Sequence, residues 1–201
     1  GKGVLLEALP YSLLREQARE MARRLLTLGL QAGDRVGLIA ESDGDFARIF
    51  FGCQYAGLVA TPMPLPVAFG GRETYVGTIR GMIETADVSA IVVPEIIAGW
   101  TDDIIAGFDL KFGGSPAQLM ELPAADRPLP IIRPDDLSYL QFSSGSTRFP
   151  KGVCVTQRSG MANAHSISHD GLQVRETGDR CVSWLPLYHD MGLVGFFLTP
   201  M

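Results

Sequence analysis

Apolar residues recur at spacings of three and four through Leu14, Ala18, Met21, Leu25 and Leu28, the pattern of a helix with one buried face. Gly29 supplies its C-terminal stop and "QAGD" turns the chain. "RVGLIA" follows as a short strand. Ser42, with Asp45 three residues on, opens a second helix that carries Phe46, Ile49, Phe50 and Cys53 and closes near Gly57. "LVATPM" predicts a strand, "ETYVGTIRGMIETA" a helix, "SAIVVP" a strand, and residues 95 to about 106 another helix. The stiffest connector is "TPMPLP", residues 61–66. Residues 113–136 hold five prolines and little periodicity, which predicts a surface excursion. Beyond it, "SGMANAHSISHDG" reads as a helix ending at Gly171, and "CVSWLP" as a strand.

Alternating apolar strands and helices imply an α/β fold. The expected architecture is a mixed, mostly parallel sheet covered by helices on both faces. Ligands in such sheets bind beyond the carboxyl ends of the strands. The chain closes on the apolar run "GLVGFFLTPM" with no polar cap, so residues 1–201 are expected to be one partial domain of a longer protein.

With 201 residues, 46% apolar and 19% charged, the composition is that of a globular protein rather than a disordered one. The formal net charge is -5 and no basic run is present, which argues against a nucleic-acid partner. Cys53, Cys154 and Cys181 form an odd, widely spaced set inside apolar stretches. Buried free thiols in a reducing compartment, the cytoplasm, are expected. No secretory leader is expected, and no apolar run reaches the roughly 20 residues of a membrane span.

The candidate chemistry lies in "YLQFSSGSTRFPKGVCV", where two apolar runs enclose residues 143–151. That tip is too long for a tight hairpin turn. Ser143, Ser144, Ser146 and Thr147 offer hydroxyl donors, Gly145 permits close backbone approach, and Arg148 and Lys151 bring charge. Composition alone leaves a solvated turn equally open. A Walker A loop is excluded, since Pro150 and not a glycine precedes the lysine, and no GxSxG elbow gives the serines a hydrolase setting.

The order of residues in "FSSGSTRFPKGV" resembles the phosphate-binding motif of the adenylate-forming enzymes, and "WLPLYHDMGLVG" (184–195) resembles that family's downstream aromatic-His segment. Arg148, where most members have glycine, together with "PLYHDMG" and the upstream "FFGCQYAGLVATPMPLPVAFGGRETYV", is similar to the fatty acyl-AMP ligase branch. The resemblance runs from about Leu9 to the end. It implies the first part of the large N-terminal domain, and ATP-dependent activation of a fatty acid to an acyl-adenylate with release of pyrophosphate. The acyl group would then pass to an acyl carrier protein. It also implies that Ser144, Gly145, Ser146 and Thr147 wrap the β- and γ-phosphates, with Lys151 beside them. Ser143 would lie near a magnesium ion, and His189 where the acyl and nucleotide sites meet. The family's later blocks have no counterpart here, so this chain alone is expected to be inactive.

Other readings stand beside this one: an acyl-CoA synthetase of the same superfamily, a non-catalytic nucleotide-binding protein, and a hydrolase built on His189 and Asp190. A histidine beside an aspartate is commonly only a structural pair. No metal ligand is assigned: His165 and His169 share a helix face, without a third ligand. Trp184, Phe196 and Phe197 are expected in the core.

Overall fold

The computed structural model describes residues 4–66, 71–143, 151–175 and 178–201. Helix α1 (Tyr11–Thr27) buries Leu14, Ala18, Met21 and Leu25, as their spacing requires, while Leu28 becomes its half-buried C-cap. Helix α2 (Gly44–Ala56) packs against α1 and buries Phe46, Ile49, Phe50 and Cys53. Its N-cap is Asp43 rather than Ser42: the Asp43 carboxylate accepts the Phe46 amide at 2.8 Å, satisfying a donor that the helix itself leaves free. Gly29 and Gly57 end the two helices in the left-handed region, at φ of +75° and +71°.

Six strands form one sheet: β1 (Arg35–Ile39), β2 (Val59–Met63), β3 (Val88–Val92), β4 (Phe112–Gly114), β5 (Leu137–Ser143) and β6 (Lys151–Thr156). Their spatial order is β4-β3-β1-β2-β5-β6. All neighbours are parallel except β5 and β6, which are antiparallel. Both faces of β1, β2 and β3 are covered, which is why these strands appear as apolar runs rather than alternating ones, whereas β6 is largely exposed. On one face Val36, Leu38, Ala60 and Val92 meet α1 and α2. On the other, Ile39, Met63 and Ile91 meet Ile79 and Ile83 of α3 (Gly71–Ala86) and Ile104 of α4 (Thr101–Ile105).

Several expectations are corrected. The helix over 95–106 is a 3-10 segment (Glu95–Trp100), kinked at Ile97 by non-helical angles, followed by α4. The excursion after residue 113 contains regular structure. Phe112–Gly114 pairs with β3, and Ser115 caps α5 (Pro116–Glu121), which buries Leu119 completely. A three-residue strand with two glycines carries no hydrophobic alternation by which to recognise it. "CVSWLP" forms no strand, and Trp184 is 88% exposed. A strand needs a ladder partner, and none flanks it among the described residues. Phe196 is exposed, whereas Phe197 packs against Phe46, Phe50 and Phe51. All three cysteines are free thiols, but only Cys53 is buried; Cys154 and Cys181 are exposed. Burial pushes the Cys53 thiol far above the ordinary cysteine range.

Candidate active site

The site lies at the carboxyl end of the parallel strands, where the hairpin β5–β6 leaves the sheet. Ser143 and Lys151 are the last register pair of that hairpin, so the intervening loop starts and ends at adjacent points. Ser144, Gly145, Ser146 and Thr147 lie outside the described residues.

The base of the hairpin is held from α2. The register slips between Leu137 and Tyr139, so Ser138 has no opposite number on β6. Gln54 meets it instead. Its amide nitrogen donates to the Ser138 carbonyl at 2.8 Å, and its oxygen accepts from the Ser138 hydroxyl and from Gln157, each at 2.7 Å. Gln157 is the first residue of α6 (Gln157–Ser166), so one side chain of α2 ties the start of β5 to the end of β6. Thr156 and Ser159 form a capping box that starts α6 directly after the strand.

The "PLYHDMG" segment is a compact turn. The His189 amide donates to the Pro186 carbonyl at 3.2 Å, and the Leu193 amide to the His189 carbonyl at 2.8 Å. Gly192 sits against that same Pro186 carbonyl, so closely that a Cβ would collide with it. The motif's glycine therefore has a packing reason. His189 Nδ1 lies 2.5 Å from Asp190 Oδ1, which also accepts the Met191 amide at 2.7 Å. Gln141 crosses from β5 and donates to the Tyr188 carbonyl at 3.2 Å.

Between turn and sheet is a cavity of about 480 Å³. Ser143 and His189 both line it, with an apolar wall from Pro62, Pro64, Met82 and Phe142. The Tyr75 hydroxyl donates to the Pro64 carbonyl at 2.8 Å and fixes the proline connector over α3. Ser143 and His189 are thus brought together. Lys151 is solvent-exposed on the far arm of the hairpin and does not line the cavity.

Gln141, Met82 and Pro64 were not singled out from sequence. A glutamine inside the apolar strand "YLQF" was the available signal for the first, and the stiff connector "TPMPLP" contains Pro64; nothing local marks Met82. His165 and His169 stack, with ring centroids 4.0 Å apart and planes at 4°. They lie beside a second, mainly apolar cavity of about 540 Å³ between α2 and α6. Among the described residues no three His, Cys, Asp or Glu side chains converge as a metal site. A mainly apolar cavity with Ser143, Gln141 and His189 on its lining can hold a substrate with an apolar body and a polar head.

Residues 6–201 match the family model described as AMP-binding enzyme. The chain is 52% identical over 200 residues to a Caulobacter vibrioides protein provisionally named an acyl-CoA synthetase, of which it covers 34%. It is 33% identical to the long-chain-fatty-acid–AMP ligase FadD32 of Mycolicibacterium smegmatis, over 91% of this chain and 29% of that one. A fatty acyl-adenylate ligase, from work on the E. coli and L. pneumophila enzymes, superposes with a TM-score of 0.93 at 46% identity; the match covers 98% of this chain and 35% of that one. The chain spans about a third of the length of the curated relatives it matches.

Proposed function

The chain belongs to the AMP-binding enzyme family, and from that premise we propose that it forms part of a site that uses ATP to convert a fatty acid carboxylate to an acyl-adenylate, releasing pyrophosphate. The observation that carries this reading is the shared cavity: Ser143, at the root of the hydroxyl-rich loop, and His189 line one space with an apolar wall. A fatty carboxylate and a triphosphate are both anionic and repel each other. Ser144, Gly145, Ser146, Thr147 and Lys151 are proposed to hold the β- and γ-phosphates while the carboxylate attacks the α-phosphorus in line. His189, held by Asp190, would bound the acyl head group at the junction.

Magnesium is proposed to arrive with the triphosphate. Ser143 is proposed to lie near the ion, which would neutralise part of the phosphate charge; among the described residues no three His, Cys, Asp or Glu side chains converge. The apolar body of the substrate suits the wall formed by Pro62, Met82 and Phe142.

The acyl acceptor is proposed to be a carrier protein, as Arg148 in the motif suggests. The name of the Caulobacter relative favours coenzyme A as the second reading. Residues 1–201 are read as part of one larger domain. Val153, Met161, Leu172, Val182, Trp184 and Met191 are all exposed, and α6 buries no residue, as expected of a surface that further chain covers. Among the described residues no helix is long and apolar enough to cross a membrane, and the free thiols suit a cytoplasmic setting.

The test uses the full-length protein with ATP, magnesium and a C12–C16 acid. Acyl-AMP and pyrophosphate are the expected products, and Lys151→Ala is expected to lower kcat/KM roughly 10- to 150-fold, the worth of one charge-assisted hydrogen bond. Adding a carrier protein or coenzyme A identifies the acceptor. Absence of any adenylate, or a Lys151→Ala variant with wild-type kinetics, would refute the assignment. Residues 1–201 alone are expected to show no turnover.

A further inference from the structure

The turn that carries His189 is separated from Ser143 by more than 40 residues of chain, yet both line the same cavity. What sets the spacing between them is therefore a tertiary contact. Leu187 and Tyr188 pack against the apolar core, holding the turn from one side. On the other side the described residues show a single hydrogen bond from the sheet to residues 185–192, from Gln141 Nε2 to the Tyr188 carbonyl. Gln141 lies two residues before Ser143 on β5, and Tyr188 immediately precedes His189. The bond thus joins the two halves of the site at the positions next to their functional side chains.

We propose that Gln141 is a positioning residue, whose amide fixes the height of His189 above the end of β5 and makes the hairpin and the histidine turn move as one body. The inference rests on the functional reading of this cavity for its consequence, though not for the tether itself. An amide suits the task chemically. It donates to a carbonyl without adding a charge, whereas a lysine or arginine there would compete for the phosphates, and a carboxylate would repel both anionic substrates. Gln141 itself lines the cavity, so the tether is made where substrate would sit.

The tether is tested by amide hydrogen exchange in Gln141→Met, which keeps the side chain's length without the donor, and in Gln141→Asn, which keeps the amide without the reach. The reporter is the Leu193 amide, which is bonded to the His189 carbonyl; the reference is the Ser159 amide in the α6 capping box. Loss of one hydrogen bond should speed Leu193 exchange about three- to tenfold while Ser159 is unchanged. Unchanged Leu193 exchange in both variants overturns the tether, and so does an increase that Ser159 shares, since that reports general loosening.

In the full-length enzyme the same variants should lose a similar factor in kcat/KM for the acid, with KM for ATP within about twofold of wild type. Faster Leu193 exchange with unaltered kinetics for the acid overturns the positioning role. A wild-type enzyme that makes no acyl-adenylate removes the functional reading, while the exchange result still decides whether the tether exists.

Discussion

Replacing Gln54 by methionine removes the clamp at the base of the hairpin and tests how the candidate loop is held. Three hydrogen bonds go at once: to the Ser138 carbonyl at 2.8 Å, from the Ser138 hydroxyl at 2.7 Å and from Gln157 at 2.7 Å. Each contributes about 0.5–1.5 kcal/mol net. Ser138 is only 8% exposed, so its hydroxyl is left without ready access to water, whereas the half-buried Gln157 can be rehydrated. Methionine recovers part of the loss through its apolar surface. The expected destabilisation is about 2–4 kcal/mol, a large fraction of the 5–15 kcal/mol typical of a domain. Urea unfolding measures it as a lowered midpoint with an unchanged slope. A double-mutant cycle with Ser138→Ala should give a coupling of about 1 kcal/mol, because the serine hydroxyl needs no partner once it is absent. A loss below about 0.5 kcal/mol, or a coupling indistinguishable from zero, would show that the hairpin base is held by packing alone.

Two further outcomes follow from local geometry. Gly192→Ala would press a methyl group into the Pro186 carbonyl, and the turn must open to admit it; about 1–3 kcal/mol of stability should go, with His189 displaced in any structure of the variant. Glu41 has its carboxyl raised above the ordinary range, first by burial and then by the Asp43 and Asp45 charges. Its ionisation therefore opposes folding: stability is full below the unfolded-state pKa and declines as pH rises through the folded one. Glu41→Gln should thus raise the melting temperature at pH 7 and lose that advantage near pH 3. The gain should stay at or below about 0.5 kcal/mol, since Glu41 is only partly shielded from water. A gain that persists undiminished at pH 3 would exclude the charge explanation.

Much of the scaffold was legible because its physics is local. The three- and four-residue spacing in α1, the glycines that end α1 and α2, and the apolar runs of β1, β2 and β3 each depend only on neighbours in the chain. The two motif segments were legible as ordered strings of residues, and residues of both line one cavity. What failed was whatever depends on distant partners. The strand Phe112–Gly114 exists because β3 offers it a ladder, and "CVSWLP" is no strand because none of the described residues does. Asp43 displaced Ser42 as a cap because backbone angles, not residue preference, decide which side chain reaches the Phe46 amide.

Sequence alone thus determined the α/β class, the elements from α1 to β3 and the two motif segments. Tertiary structure decided that Ser143 and His189 share a cavity, that Lys151 stands outside its lining, and that Gln54 and Gln141 hold these parts in place. Spacing along the chain records which side chains share an element. Only the folding of the sheet determines which elements meet.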